Sequence, residues 1–205
     1  MLLQDKVVIV SGIGPGLGQE LSTLAAQEGA AAVVMAARTP AKLDTAEQEI
    51  RDLGLDTPVL KVPTDIADAA QCQALADAAV EAYGRIDVLF NSAYDPGAFE
   101  PIESADLDGW RRAMDVNFFG TMQLTQACLP GLKAAGGGSI VMIATMVEHK
   151  PLATQGGYGS SKSALRNASK HLALELGKYN IRVNSVHMGW MWGCLLYTSP
   201  SPRDS

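Results

Sequence analysis

Tyr158 and Lys162 stand four positions apart in the run Tyr158-Gly159-Ser160-Ser161-Lys162, with Thr145 upstream and a glycine-rich segment near the N-terminus. Residues at that spacing share one face of a helix, a turn from each other. A phenol has an ordinary pKa near 10 and works as an acid and base near neutrality only when shifted by about three units, or roughly 4 kcal/mol. One ammonium at about 4 Å supplies roughly that much at an effective dielectric of about 20. The pair can therefore make a proton-transfer tyrosine. Taken alone, a Tyr and a Lys at this spacing more often mark a plain helix face, so the reading depends on what surrounds them.

The glycine-rich segment is Ser11-Gly12-Ile13-Gly14-Pro15-Gly16-Leu17-Gly18. It follows an apolar run and opens a helical pattern. In that place glycines let the backbone turn tightly and approach a pyrophosphate, whose charge a helix N-terminus favours. The competing reading is a turn that only joins strand to helix. The glycines fall at Gly12, Gly16 and Gly18, a spacing that differs from the commoner dinucleotide pattern of one, three and six.

These residues need a scaffold, and the hydropathy pattern supplies one. Strands are expected at about 6–10, 31–37, 57–62, 87–90, 139–144 and 181–187. Helices are expected at about 16–28, 40–53, 68–83, 106–116, 119–135 and 155–178, with Asp68 as an N-cap. Apolar strands alternating with helices indicate a parallel sheet covered on both faces, an α/β fold. At 205 residues the chain suits a single domain with a full core. A net charge of −6 argues against a nucleic-acid surface. No apolar run reaches the length of a membrane span. The N-terminus has no signal-peptide design, and Cys72, Cys128 and Cys194 form no metal or disulfide spacing, so a cytoplasmic location is expected.

The segment 194–205, Cys-Leu-Leu-Tyr-Thr-Ser-Pro-Ser-Pro-Arg-Asp-Ser, has no periodicity and resembles the conceptual translation of a sequencing adapter. It is set aside as a non-native tail, and residues 1–193 are treated as one domain whose native continuation lies past Gly193. The alternative is a natural disordered terminus.

In six motifs taken in order, residues 5–193 resemble the short-chain dehydrogenases/reductases. The family's Thr-Gly-x-x-x-Gly-x-Gly appears with Ser11 in place of Thr, and its Asn-Asn-Ala-Gly as Asn91-Ser92-Ala93-Tyr94. Its helix asparagine falls on Asn117, its catalytic hydroxyl on Thr145, and its Tyr-x-x-x-Lys on Tyr158 and Lys162. The closing signature is Asn184-Ser185-Val186-His187-Met188-Gly189.

The resemblance implies a doubly wound Rossmann domain with strand order 3-2-1-4-5-6, the seventh strand and substrate lid lying beyond Gly193. It implies a hydride-transfer oxidoreductase interconverting a carbonyl and a secondary alcohol, with Tyr158 as acid and base. Lys162 would lower the Tyr158 pKa and bind the nicotinamide ribose. Thr145 would hold the substrate oxygen, and Asn117 would anchor a water linking Lys162 to solvent. Tyr158 and Arg38 would join Lys162 at the cofactor, and Ser11, Gly12, Gly16, Leu17, Gly18, Asp65, Ile66, Asn91, Ala93 and Gly189 would complete its site, Asp65 at the adenine. A homotetramer or homodimer is implied, through the helices at about 106–135 and 155–178. An epimerase or dehydratase on the same fold, and a non-catalytic cofactor-binding fragment, are the rival readings.

Three departures bear on this. Thr145 adds a methyl and a stiff χ1. Tyr94 replaces a glycine beside the cofactor, either shaping the substrate pocket or simply packing. Met188 replaces a proline. At the end of the second strand an NAD enzyme usually presents a carboxylate, whereas this chain has Ala37 and then Arg38. A guanidinium suits a 2′-phosphate, which favours NADP over NAD. His149 and Lys150 read as loop surface and His187 as a packed or hydrogen-bonded histidine. No metal site is expected.

Overall fold

Valines and isoleucines build the first strand, Val7–Ser11 (β1), and every residue in it is buried. In the computed structural model, which describes residues 1–189, β1 lies near the middle of a six-stranded parallel sheet. The other strands are β2 (Ala32–Ala37), β3 (Val59–Pro63), β4 (Val88–Asn91), β5 (Gly138–Thr145) and β6 (Ile181–Met188). Their order is β3-β2-β1-β4-β5-β6, as expected for a Rossmann-type fold. The expected tail at 194–205, and the segment 190–193 before it, lie outside the described residues.

Alternation along β1 divides the core in two. Val7 and Ile9 face one side, packed with Leu75 and Ala79, Leu124 and Leu132, and Leu165. Those belong to the helices α3 (Ala69–Tyr83), α5 (Thr121–Ala134) and α6 (Gly156–Leu176). Val8 and Val10 face the other side with Ala25, Leu43, Ala46 and Ile50, from α1 (Leu17–Gln27) and α2 (Pro40–Asp52). A sheet covered on both faces needs apolar strands, and β1 and β2 are buried at every position, whereas the edge strand β6 alternates, with Ile181 and Val183 buried and Arg182 and Asn184 exposed. Asp68 caps α3 as expected, its side chain accepting from the Ala70 and Gln71 amides. Among the described residues no helix is long and apolar enough to cross a membrane.

One helical feature was not foreseen. The two helices expected at 106–116 and 119–135 are joined without a break: α4 (Leu107–Met114) runs into a π-helical turn, Asp115–Gly120, and then into α5. Such wide turns are frequent at functional sites. This one carries Asn117.

A buried carboxylate fixes the start of β1. Asp87, 4% exposed, accepts from the Val7 amide at 3.0 Å and takes both Arg85 Nε (2.8 Å) and a terminal guanidinium nitrogen (2.6 Å). Truncating it strands the buried Val7 N–H. Asp87→Ala is expected to cost about 1–3 kcal/mol in urea unfolding. Lys6→Ala, which removes a partner 3.8 Å away and 45% exposed, is expected to cost under about 1 kcal/mol. Equal losses in the two variants would contradict this account.

Candidate active site

The β1–α1 turn brings the chain back over the C-terminal ends of the strands. Gly12 adopts φ +80°, and a Cβ there would lie 2.3 Å from the Ala93 backbone, so only glycine lets the two loops touch. The Gly12 and Ile13 amides donate to the Ala36 carbonyl at 2.8 and 3.1 Å. The loop and the strand ends enclose a cleft of about 350 Å³. In open α/β sheets ligands bind at this point, where the strand order reverses between β1 and β4.

Of the residues expected at the cofactor, Gly12, Leu17, Gly18, Arg38, Asp65, Ile66 and Ala93 line this cleft. Ser11 and Asn91 do not; both are buried beneath it. Ser11 donates to the Phe90 carbonyl at 3.3 Å, and Asn91 Nδ2 to Thr125 Oγ1 at 3.1 Å. They hold β1, β4 and α5 in register under the loop. Gly16, at φ +100°, shapes the turn without lining the cleft, and Gly189 is exposed past the end of β6. Asp65 Oδ1 also accepts from the Ala67 amide at 3.0 Å, so the turn function and the place at the cleft coexist. Lys42 was missed. It lies on the first turn of α2 beside Arg38 at the cleft wall. A basic residue four after Arg38, at the start of the helix after β2, was the available signal.

The proton-transfer group is assembled by α6. Its first turn begins with Gly156 and Gly157, where Cβ atoms would lie 2.6 and 2.8 Å from the Trp110 ring of α4. The two glycines let the helix start flush against the indole and so set the position of Tyr158. The Tyr158 ring meets that of Tyr94 edge-on, with centroids 6.4 Å apart and planes at 68°. One turn on, Lys162 is 1% exposed and its Nζ donates to the Ile143 carbonyl at 2.7 Å. Burial pushes its pKa down to about 8, against the opposing pull of the Glu148 carboxylate. Ile143 lies two residues before Thr145, so Lys162 ties α6 to the end of β5. Thr145 is 5% exposed and accepts from the Val147 amide at 3.3 Å, leaving its hydroxyl proton for another acceptor.

Asn117 joins the two halves. Its Oδ1 accepts from the Asp95 amide at 2.8 Å, while Nδ2 donates to the Asp95 carbonyl (2.8 Å) and to Ser161 Oγ (2.9 Å). Ser161 in turn donates to the Tyr158 carbonyl at 2.8 Å. The π-turn is therefore stitched both to the loop after β4 and to the first turns of α6.

The family model for short chain dehydrogenases matches residues 6–193. An uncharacterized oxidoreductase of Methylorubrum extorquens is 36% identical over 191 residues, covering 92% of this chain and 74% of the relative. Trans-4-hydroxycyclohexanecarboxylate dehydrogenase of Sinomonas cyclohexanicum is 34% identical over 197 residues, covering 90% of this chain and 72% of that enzyme. The structure is also similar to that of an NAD+-bound xylitol dehydrogenase, with a TM-score of 0.88 at 29% identity, covering 93% of this chain and 72% of that one. Sequence, topology and cleft agree, and the chain belongs to the short-chain dehydrogenase/reductase family of nicotinamide-dependent oxidoreductases.

Proposed function

We propose that the protein interconverts a secondary alcohol and its ketone with NADP, using Tyr158 as the proton donor and acceptor. The observation that carries the reading is Lys162. A lysine buried to 1% exposure and hydrogen-bonded to a neutral carbonyl is costly to the fold. Its position one turn from Tyr158 gives that cost a use. As an ammonium it favours the phenolate form of Tyr158 over the phenol. Thr145 Oγ1 donates its free proton to the substrate oxygen and orients it toward Tyr158. Asn117 fixes the spacing of the β4 loop and α6. Tyr94, edge-on to Tyr158, forms a wall of the substrate pocket.

The residues of the cleft suit a dinucleotide. The Gly12 loop offers a close backbone approach for the pyrophosphate at the N-terminus of α1, and Asp65 lies where an adenine amino group could be held. When bound, the nicotinamide supplies the hydride chemistry, exchanged with the carbinol carbon. Arg38 and Lys42 stand together where β2 ends in Ala37 with no carboxylate, and this supports a 2′-phosphate over a free 2′-hydroxyl. Arg38→Ala is expected to weaken NADPH binding by about tenfold, the worth of a hydrogen bond to a charged group. NADH should be nearly unaffected. Fluorescence titration with both cofactors checks this, and an equal loss for the two would remove the argument for NADP.

Leu107 on α4, Phe119 on the π-turn and Leu174 on α6 are 53%, 51% and 83% exposed. Their apolar surface supports association into a homo-oligomer through these helices, measurable by light scattering. The activity is tested on a ketone panel that includes 4-substituted cyclohexanones, the ring type in the Sinomonas relative's name.

A further inference from the structure

After Thr145 the chain makes one 3₁₀ turn, Met146–Glu148, and then reaches His149. On the neighbouring strand, His187 pairs with Ala144 one residue before Thr145. This register brings Glu148, His149 and His187 together at the C-terminal edge of β5 and β6. His187 Nδ1 is 2.6 Å from Glu148 Oε1 and 3.2 Å from His149 Nε2. One ligand atom from each residue lies within 4.8 Å of the others.

Neutral imidazoles serve this cluster poorly. In a neutral imidazole each ring nitrogen carries either a proton or a lone pair. If Nδ1 of His187 donates toward Glu148, it has no lone pair for His149. If it accepts from His149, its lone pair faces a carboxylate oxygen at 2.6 Å. Glu148 is unsatisfied as well. Its side chain is 1% exposed, yet neither carboxylate oxygen has a hydrogen bond of acceptable direction, the close His187 contact included. The nearest guanidinium nitrogen, Arg166 Nε, is 3.8 Å from Oε2, beyond hydrogen-bond reach. Buried carboxylates are otherwise almost always partnered.

We propose that Glu148, His149 and His187 form a binding site for a divalent transition metal of the zinc type. One carboxylate and two imidazoles make an ordinary zinc ligand set that leaves a fourth position open. Ligands about 2.0–2.1 Å from one tetrahedral ion lie roughly 3.3 Å apart. The His149–His187 separation of 3.2 Å already fits, while the Glu148–His187 pair, at 2.6 Å, must open to it. The ion satisfies three lone pairs that no single proton can. It also pins the turn after Thr145 to β6, at the rim of the candidate active site. The cluster is defined by side-chain geometry alone and does not depend on the role of Tyr158.

The test uses the tag-free protein, stripped with a chelator and dialysed. Zn²⁺ is titrated by calorimetry, and Co²⁺ is followed by the visible absorption of tetrahedral cobalt. One equivalent is expected to bind. His149→Ala and Glu148→Gln should each weaken Zn²⁺ by at least about tenfold and abolish the tetrahedral cobalt spectrum. The chain's third histidine, His171, serves as control: His171→Ala should bind as the parent does. His149 is exposed, so its loss leaves the fold intact, as thermal unfolding without metal will verify. Absence of binding in the parent overturns the proposal and leaves a protonated His187–Glu148 ion pair as the account of the cluster. Binding that survives both substitutions overturns it equally.

Discussion

Tyr158→Phe is expected to lower kcat/KM by about 10²–10⁴-fold, the usual worth of a positioned acid–base group. Its effect on cofactor affinity should stay within about threefold, since the substitution removes one oxygen and no packing surface. The phenylalanine ring keeps the edge contact with Tyr94, now 6.4 Å between centroids, and Gly156 and Gly157 still seat the helix against Trp110. The loss should appear in kcat, because the proton is moved in the transition state and not in the ground state. A variant that retained its kcat would remove Tyr158 from the chemistry whatever the geometry around it.

Lys162→Met should abolish nearly all turnover while leaving the protein at least as stable, a pairing of effects that a merely structural lysine would not produce. The buried ammonium has its pKa pushed from 10.5 down to about 8. At 1.36 kcal/mol per unit, this is a penalty of roughly 3 kcal/mol wherever the folded lysine must be charged. Below about pH 8 both folded and unfolded states hold the proton, and the penalty is present in full. Between about pH 8 and 10.5 the unfolded chain binds the proton and the folded one does not, so stability rises with pH across that window. Methionine removes the penalty and also the 2.7 Å bond to the Ile143 carbonyl, whose loss costs about 1–3 kcal/mol. The net change at neutral pH is between about zero and 2 kcal/mol of added stability, and the rise above pH 8 should vanish. Thermal melts of both proteins from pH 7 to 10.5 check this. A strongly destabilised methionine variant would mean that Lys162 serves the fold first.

Much of this was legible in the chain. The inner strands could be read because a sheet buried on both faces leaves no room for polar alternation: β2, Ala32–Ala37, is buried at every position, while the edge strand β6 alternates. Tyr158 and Lys162 could be placed on one face because their spacing falls inside a long helical pattern. The glycine loop could be placed because Gly12 must accept a backbone approach that no other residue allows. What escaped depends on register and side-chain direction. The π-turn at Asp115–Gly120 has no local signature, since an inserted helical residue is a tertiary solution to seating Asn117 between the Asp95 loop and Ser161. Ser11 and Asn91 sit in the motifs, yet their buried side chains bond the Phe90 carbonyl and Thr125 and do not line the cleft. Thr154 holds φ +69°, a left-handed conformation unusual for a β-branched residue, just before α6. The meeting of Glu148 with His187 needs the pairing of β5 with β6, and a separation of 39 positions conceals it in the sequence.

The most direct test of the central claim is to incubate the enzyme with NADPH carrying deuterium at the transferable position of the nicotinamide, together with a ketone that it reduces. The alcohol is then analysed by mass spectrometry. The account predicts that the alcohol retains the deuterium on its carbinol carbon. Alcohol formed without deuterium at that carbon, or ketones left unchanged across the panel by protein that binds NADPH, would contradict it.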